Sequence, residues 1–286
     1  MAALAVEAPS SLGTFLDKAA EFLCGQGDFL LLGIAASTLK GDTSQAECFV
    51  VLDSEGQVVQ AALRTRPEFK VLVSAASHQD APAALAQFFA THWNVKSAPP
   101  ALLAPAGVAK QMADTLAPVW VADPAASEFP APGMKELLLV ARSVNPLQAQ
   151  GGLRPAASED VAVLAGWCDR FQEEVGGDRA MRRPGGEMVA SLLDRLFVWE
   201  ADGAPASMVA FAGDVAVPGS LRISMVFTPD EQRGKGYAGA AVAAVATRLL
   251  DSGAALVGIA ADAAKPAYKL YQRVGFQLAQ ENHNWW

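Results

Sequence analysis

The sequence predicts an α/β (α+β) protein in two halves, and three observations carry that prediction. Strand-like and helix-like periodicities interleave along residues 153–286 in the order β-α-α-β-β-β-α-β-α-β. The length of 286 residues suits two domains, and a Pro- and Gly-punctuated stretch, residues 146–152, reads as a linker between residues 1–145 and 153–286.

In the second half, Leu153–Ala156 is a short strand, and Ser158-Glu159-Asp160 opens a helix with acidic residues in its first turn. Val161, Leu164, Ala165, Cys168 and Phe171 then recur at helical spacing. A second short helix is expected over Glu187–Leu196, followed by strands over Phe197–Glu200, Ser207–Phe211 and Leu221–Thr228. Asp202-Gly203 marks a tight hairpin between the first two. The strongest helical pattern covers Tyr237–Leu250, with Ala238, Ala241, Val242, Val245 and Leu249 on one face and Gly253 as its stop. A strand (Ala255–Ala260), a helix (Pro266–Arg273) and a strand from Phe276 complete the half.

The first half echoes this order only in part. A helix near Thr14–Leu23 precedes strands at Cys48–Leu52, Val58–Leu63 and Lys70–Ser74, helices at Pro82–His92 and Val108–Leu116, and a strand at Leu137–Ala141. Two copies of one fold are expected, although no residue-level repeat is visible.

Composition narrows the function. Apolar residues are 52% of the chain, inflated by 57 alanines, and no uncharged apolar run reaches the roughly 20 residues of a spanning helix. The N-terminal stretch lacks a basic segment and carries Glu7, so a signal peptide is not expected and a cytoplasmic location is. The net charge of −8 argues against a nucleic-acid partner, and no membrane partner is expected. Three widely spaced cysteines, Cys24, Cys48 and Cys168, read as buried thiols rather than a metal or redox pair.

Thr228-Pro-Asp-Glu-Gln-Arg233-Gly234-Lys235-Gly236-Tyr237-Ala238-Gly239 carries the chemistry, because it joins a strand to the strongest helix. Glycines there let backbone N–H groups converge on one point, to which the helix N-terminus adds positive partial charge. Gly234, Gly236 and Gly239 also satisfy GxGxxG, with Asp262 on the next strand, as a dinucleotide site requires. Against that reading, five residues, Pro229–Arg233, separate the strand from the first glycine, and only 24 residues follow Asp262. No GxxxxGK[ST] occurs.

Read from Arg233, the loop is R-x-x-G-x-A, and with the preceding Met225-Val226-Phe227-Thr228 strand and Lys269-Leu270-Tyr271-Gln272-Arg273-Val274-Gly275-Phe276 it resembles the GNAT superfamily of acetyl-CoA-dependent N-acetyltransferases. The likeness spans residues 153–286. It implies a C-terminal GNAT fold, a mixed twisted sheet flanked by helices, preceded by a degenerate GNAT-like half, because Ser74–Pro82, the corresponding junction there, has no glycine. It also implies that main-chain groups of Val226, Phe227 and Thr228 pair with the pantetheine arm, and that the loop Arg233, Gly234, Lys235, Gly236, Tyr237, Ala238 and Gly239 holds the pyrophosphate. Tyr271 matches the family's general acid, with a buried aromatic as the competing role. Where the family often has Asn, this chain has Ala263-Ala264-Lys265-Pro266. Glu173, Glu174, Glu187 and Asp214 are candidates for a general base, and none stands out.

The expected activity is acetyl transfer from acetyl-CoA to a primary amine, small molecule or peptide, by direct attack and without a metal. The alternatives are a non-catalytic CoA-binding regulatory or scaffold protein and a dinucleotide-binding protein.

Overall fold

The computed structural model describes residues 4–26, 28–94, 96–120, 132–175 and 182–285. The first half runs β1 (Ala5–Glu7), α1 (Leu12–Gln26), α2 (Phe29–Leu39), β2 (Glu47–Leu52), β3 (Val58–Arg64), β4 (Val71–Val73), α3 (Ala81–His92), β5 (Leu102–Pro105), α4 (Ala106–Trp120) and β6 (Pro132–Ala141). The second runs β7 (Gly152–Pro155), α5 (Val161–Val175), α6 (Gly185–Leu192), β8 (Leu196–Ala201), β9 (Ala204–Ala212), β10 (Arg222–Phe227), α7 (Tyr237–Asp251), β11 (Val257–Asp262), α8 (Ala267–Val274) and β12 (Gln277–Trp285). Both halves follow one order, β-α-α-β-β-β-α-β-α-β. The periodicities of the first half had shown only part of it, lacking β1, α2 and β5.

The twelve strands of the described residues form one sheet, ordered β1-β2-β3-β4-β5-β12-β6-β11-β10-β9-β8-β7. The last strands of the two halves are exchanged. β6 pairs antiparallel with β11 of the second half, and β12 pairs antiparallel with β5 of the first. The exchanged strands pair with each other at the centre, for example Leu137 with Glu281. Among the described strands, only β4/β5 and β10/β11 are parallel. A doubly wound dinucleotide sheet is mostly parallel, so the topology removes that reading of the GxGxxG spacing.

Alternation along the strands assigns the helices to faces. On β6 and β11, Leu138 and Ala260 pack with α1 and α2, whereas their neighbours Leu139 and Ile259 pack with α7 and α8. Helices α5 and α6 cover Val198, Met208 and Ala210 on the α2 side, and α3 and α4 cover Phe49 and Val51 on the α7 side.

Helix α2 reads FLLLGIAASTL and is apolar nearly all round. That is the pattern of a buried helix, which has no 3.6-residue stripe to detect. The Asp28 carboxylate caps it, accepting the Leu31 N–H at 3.1 Å.

In the second half the expected hairpin closes on Asp202 and Gly203 with φ of 52° and 75°, the left-handed pair of a two-residue turn. The helix expected over Glu187–Leu196 starts at Gly185 and ends at Leu192, because Leu193–Arg195 tightens into a 3₁₀ turn and Leu196 already belongs to β8. Ser158–Asp160 is likewise a 3₁₀ turn ahead of α5. Cys48 and Cys168 are buried thiols, and Cys24 is partly exposed. No helix among the described residues is long and apolar enough to cross a membrane.

Candidate functional site

β10 and β11 make a fork. They pair only at Arg222 with Gly258 and Ile223 with Ile259. On its other edge β10 slips register against β9 between Ser224 and Phe227, and Met225 inside this bulge has φ 54°. Bulges twist and bend a strand, so β10 turns away from β11 and the β11-facing edge beyond Ile223 is left without a strand partner. A cavity of about 370 Å³ fills the fork. Because the fork is a gap in the sheet, the cavity reaches both faces: Ala267 and Tyr271 of α8 line it from one, and Arg222, Ser224 and Glu136 from the other.

On the α8 side a second hollow of about 330 Å³ follows the loop into α7. Gly234 and Gly236 take φ of 80° and 86°, which only glycine adopts freely. Gly236 is the N-cap of α7, and no side chain caps this helix. First-turn N–H groups have no intrahelical acceptor, so those of α7 face the hollow with the positive end of the helix dipole behind them. A Cβ at Gly234 would meet nothing within 4 Å, and one at Gly236 would come no closer than 3.7 Å, to Ala149. The cradle is open, and it suits a diphosphate.

Residues 206–286 match the family model described as FR47-like protein. Among solved structures, a GNAT-family acetyltransferase from Colwellia psychrerythraea aligns over 98% of this chain and 98% of its own, with TM-score 0.57 and 11% identity. A GCN5-related N-acetyltransferase from Sphaerobacter thermophilus aligns over 99% and 94%, with TM-score 0.57 and 15% identity. A tandem GNAT protein from the clavulanic acid biosynthesis pathway aligns over 99% and 98%, with TM-score 0.53 and 15% identity. The fold is that of the GNAT superfamily. No curated protein sequence matches the chain.

Within the GNAT fold, the residues singled out from the sequence fall into three groups. Thr228, Arg233, Gly234, Gly236, Tyr237, Ala238 and Gly239 line the loop hollow, together with Leu270 and Arg273 of α8. Val226 and Tyr271 line the fork cavity. Phe227 and Lys235 line neither: the Phe227 side chain is buried beside Trp167, its carbonyl accepts the Ser207 hydroxyl at 2.9 Å, and the Lys235 ammonium bonds Gln232 Oε1 at 2.8 Å.

Arg233 is held by the protein itself. Its guanidinium donates to both Glu174 oxygens at 2.6 and 2.8 Å and to the Thr228 carbonyl at 2.9 Å, and it pairs with Asp230 at 2.8 Å. It therefore ties the loop to β10 and to the end of α5. Glu174, one of the candidate bases, is thereby engaged, and Asp214 is paired with Lys40 at 2.9 Å. Neither Glu173 nor Glu187 lines the cavity. Lys265 donates to the Glu174 carbonyl.

Tyr271 combines its two candidate roles: it packs in the core beside Phe276 and also lines the cavity. Burial pushes its phenol up to about 12, so it keeps its proton at neutral pH.

Two charged residues of the cavity were missed by sequence reasoning. Glu136, on the exchanged strand β6, has a buried Oε2 without a hydrogen-bond partner, and Arg222, at the foot of β10, has a buried Nε in the same state. Burial pulls the Arg222 guanidinium down from its usual value, and the Glu136 charge opposes this. The available signal for Glu136 was a carboxylate directly before the apolar run Leu137–Val140. Its place beside the fork follows from the strand exchange, which no local pattern reveals.

Proposed function

We propose that this protein is an acyltransferase that uses acetyl-CoA and transfers the acetyl group to a primary amine by direct attack. The observation that carries the reading is the β10/β11 fork, whose cavity is lined by Tyr271 on one face and by Arg222, Ser224 and Glu136 on the other, with the glycine-built anion cradle in the second hollow at the start of α7. Acetyl-CoA would supply an acetyl group activated as a thioester; the amine nitrogen bonds to its carbonyl carbon, the C–S bond breaks, and the proton that the nitrogen sheds balances the one that the departing thiolate takes up.

The amides of Gly234–Gly239 bind the diphosphate. The unpaired edge of β10 around Val226 offers main-chain groups to the pantetheine arm and an N–H to the thioester oxygen, where negative charge develops. Of the three strand residues named above, Phe227 has its carbonyl occupied by Ser207, so the carbonyl on offer there is that of Val226. Tyr271 holds a proton at Oη for the departing thiolate. The first half covers the far side of the cleft.

The test is release of free CoA thiol across a panel of primary amines, with acetyl-CoA affinity measured by calorimetry. Thiol release dependent on one class of amine supports the reading. Tight acetyl-CoA binding with no release for any acceptor would make the chain a CoA-binding protein without turnover, and absence of binding would remove the site altogether.

A further inference from the structure

The acceptor side of the fork is lined by two opposite charges that make no direct ion pair with each other, each with a buried polar atom that lacks a hydrogen-bond partner. Arg222 and Ser224 project from the face of β10 that α2 and α5 cover. Glu136 sits on the same face, because it pairs directly with Asp262 of β11, two positions along from Ala260, which packs with α1 and α2. Helix α2 presses on this region: a Cβ at Gly33 would lie 3.2 Å from Arg222 Cδ and 3.4 Å from its Nε. The guanidinium is thereby confined between α2 and the sheet.

The other charged groups of the cavity have partners. Glu174 is taken by Arg233, Lys265 by the Glu174 carbonyl, and Asp262 accepts the Ala264 N–H at 2.9 Å. Arg222 forms no ion pair or hydrogen bond, and Glu136 forms no ion pair, among the described residues. A buried charge without a partner is costly. A ligand that brings the complementary charge recovers that cost on binding, and here two such charges of opposite sign line one cavity. A guanidinium recognises a carboxylate by paired parallel hydrogen bonds, and a carboxylate recognises an ammonium.

Resting on the acetyltransferase reading, we propose that the acceptor is an amino acid or closely related amino carboxylate, its carboxylate held by Arg222 and its amine drawn to Glu136. Both recognition elements depend on the first half: Glu136 comes from its exchanged strand, and α2 fixes Arg222. The half without a glycine cradle is thus assigned acceptor selection.

The experiment compares amino acids with the same amines lacking the carboxylate: alanine with ethylamine, leucine with isopentylamine, phenylalanine with phenethylamine. CoA thiol release is the readout. The wild-type protein is expected to prefer the amino acid of the best pair by about 100-fold or more in kcat/KM, a conservative floor beside the roughly 10⁴–10⁵-fold by which a site built for a polar group rejects an analogue lacking it. Arg222→Met should collapse that ratio to below about 5, with Arg222→Lys intermediate, and Glu136→Gln should weaken both members of a pair and leave their ratio standing. Equal or better use of the decarboxylated amines by the wild-type protein, which needs no variant to fold, would overturn the proposal while leaving acetyl transfer intact. Should no acceptor release thiol, calorimetry of the same pairs against the acetyl-CoA-loaded protein decides it: amino acid binding that Arg222→Met abolishes supports the assignment, and no binding refutes it.

Discussion

Gly258 of β11 lies directly beneath the ring of Phe29, the first residue of α2, so closely that a Cβ at position 258 would fall within the ring's own Cγ, Cδ2 and Cε2 contact shell. Phe29 is 1% exposed and packs in the core cluster that α1 and α2 form over the sheet. This contact seats a helix of the first half on a strand of the second, one residue from the Ile223/Ile259 pair where the fork opens. Gly258→Ala is expected to destabilise the fold by about 1–3 kcal/mol, the usual cost of overpacking a filled core, measured by urea unfolding. Combining it with Phe29→Leu should recover part of that loss, and strict additivity of the two changes would show that they do not share the strain.

Asp28 caps α2 from a buried position, and burial pushes its carboxyl up to about 6, with the Leu31 N–H opposing and the Glu136 charge adding to the rise. A carboxyl whose folded value lies above its unfolded one binds its proton more tightly when folded. Its stabilising contribution is complete below about pH 4 and is lost as pH rises through about 6. The difference amounts to something on the order of 2–3 kcal/mol. Asp28→Asn keeps an oxygen for the Leu31 N–H without the charge. It should therefore gain on the wild-type protein as pH rises from 4 to 7.5 in urea denaturation, and a pH-independent difference would contradict the assignment.

Asp160 behaves in the opposite sense. Its carboxylate receives two bonds from Arg154 at 2.6 and 2.9 Å and the Ala157 N–H at 2.8 Å, and the Arg154 bonds hold it below the usual carboxylate range. A depressed value contributes stability above the unfolded value, and this is lost as pH falls through the folded one. Asp160→Asn is expected to cost about 2–3 kcal/mol at pH 7, the scale of hydrogen bonds to a charged group. The deficit should shrink on acidification below pH 4, which the same titrated unfolding series measures.

How far the sequence reveals these features depends on the range of the interaction responsible. The order of the second half is legible because each element carries its own local signal: Asp202-Gly203 for the hairpin, Gly253 after α7, and Gly275, with φ 113°, after α8. The cradle is legible because Gly234 and Gly236 need left-handed φ in a short stretch of chain. Helix α2 is not, since burial on all sides erases its amphipathic stripe, and β1 and β5, of three and four residues, are too short to establish an alternation. The exchange of β6 and β12 is set by pairing across more than a hundred residues. Glu136 and Arg222 are therefore brought together by topology rather than by any motif.

Gly236 takes φ 86° as the N-cap of α7 and faces the loop hollow. Gly236→Val places a branched side chain where a diphosphate would contact the α7 amides, and it also strains the turn by about 1–2 kcal/mol. Acetyl-CoA affinity is expected to fall by about 100-fold or more, beyond what a general loss of that size explains, because the strain leaves most molecules folded. Gly253→Ala, at φ 99° after the far end of α7, imposes comparable strain away from the hollow and serves as the control. Calorimetry of both variants separates the cradle from mere backbone stiffness: similar affinities in the two would mean that the loop does not hold the diphosphate.

Tyr271 sits where core packing and chemistry overlap, so its substitution must distinguish a proton donor from a filler. Removing the hydroxyl in Tyr271→Phe leaves the ring against Phe276 and the α8 face intact, and it deletes the group that burial keeps protonated up to about 12. If the phenol serves the departing thiolate, kcat should drop by about 100-fold, the lower range for loss of general acid catalysis, with the KM for acetyl-CoA within about 3-fold of wild type. Such a split marks an interaction made in the transition state rather than on binding. A packing residue predicts the reverse, since a phenyl ring fills nearly the same volume and kcat would stay within about 2-fold. Steady-state kinetics on the best acceptor from the amine panel, together with an unfolding curve showing stability within about 1 kcal/mol of wild type, distinguishes the two.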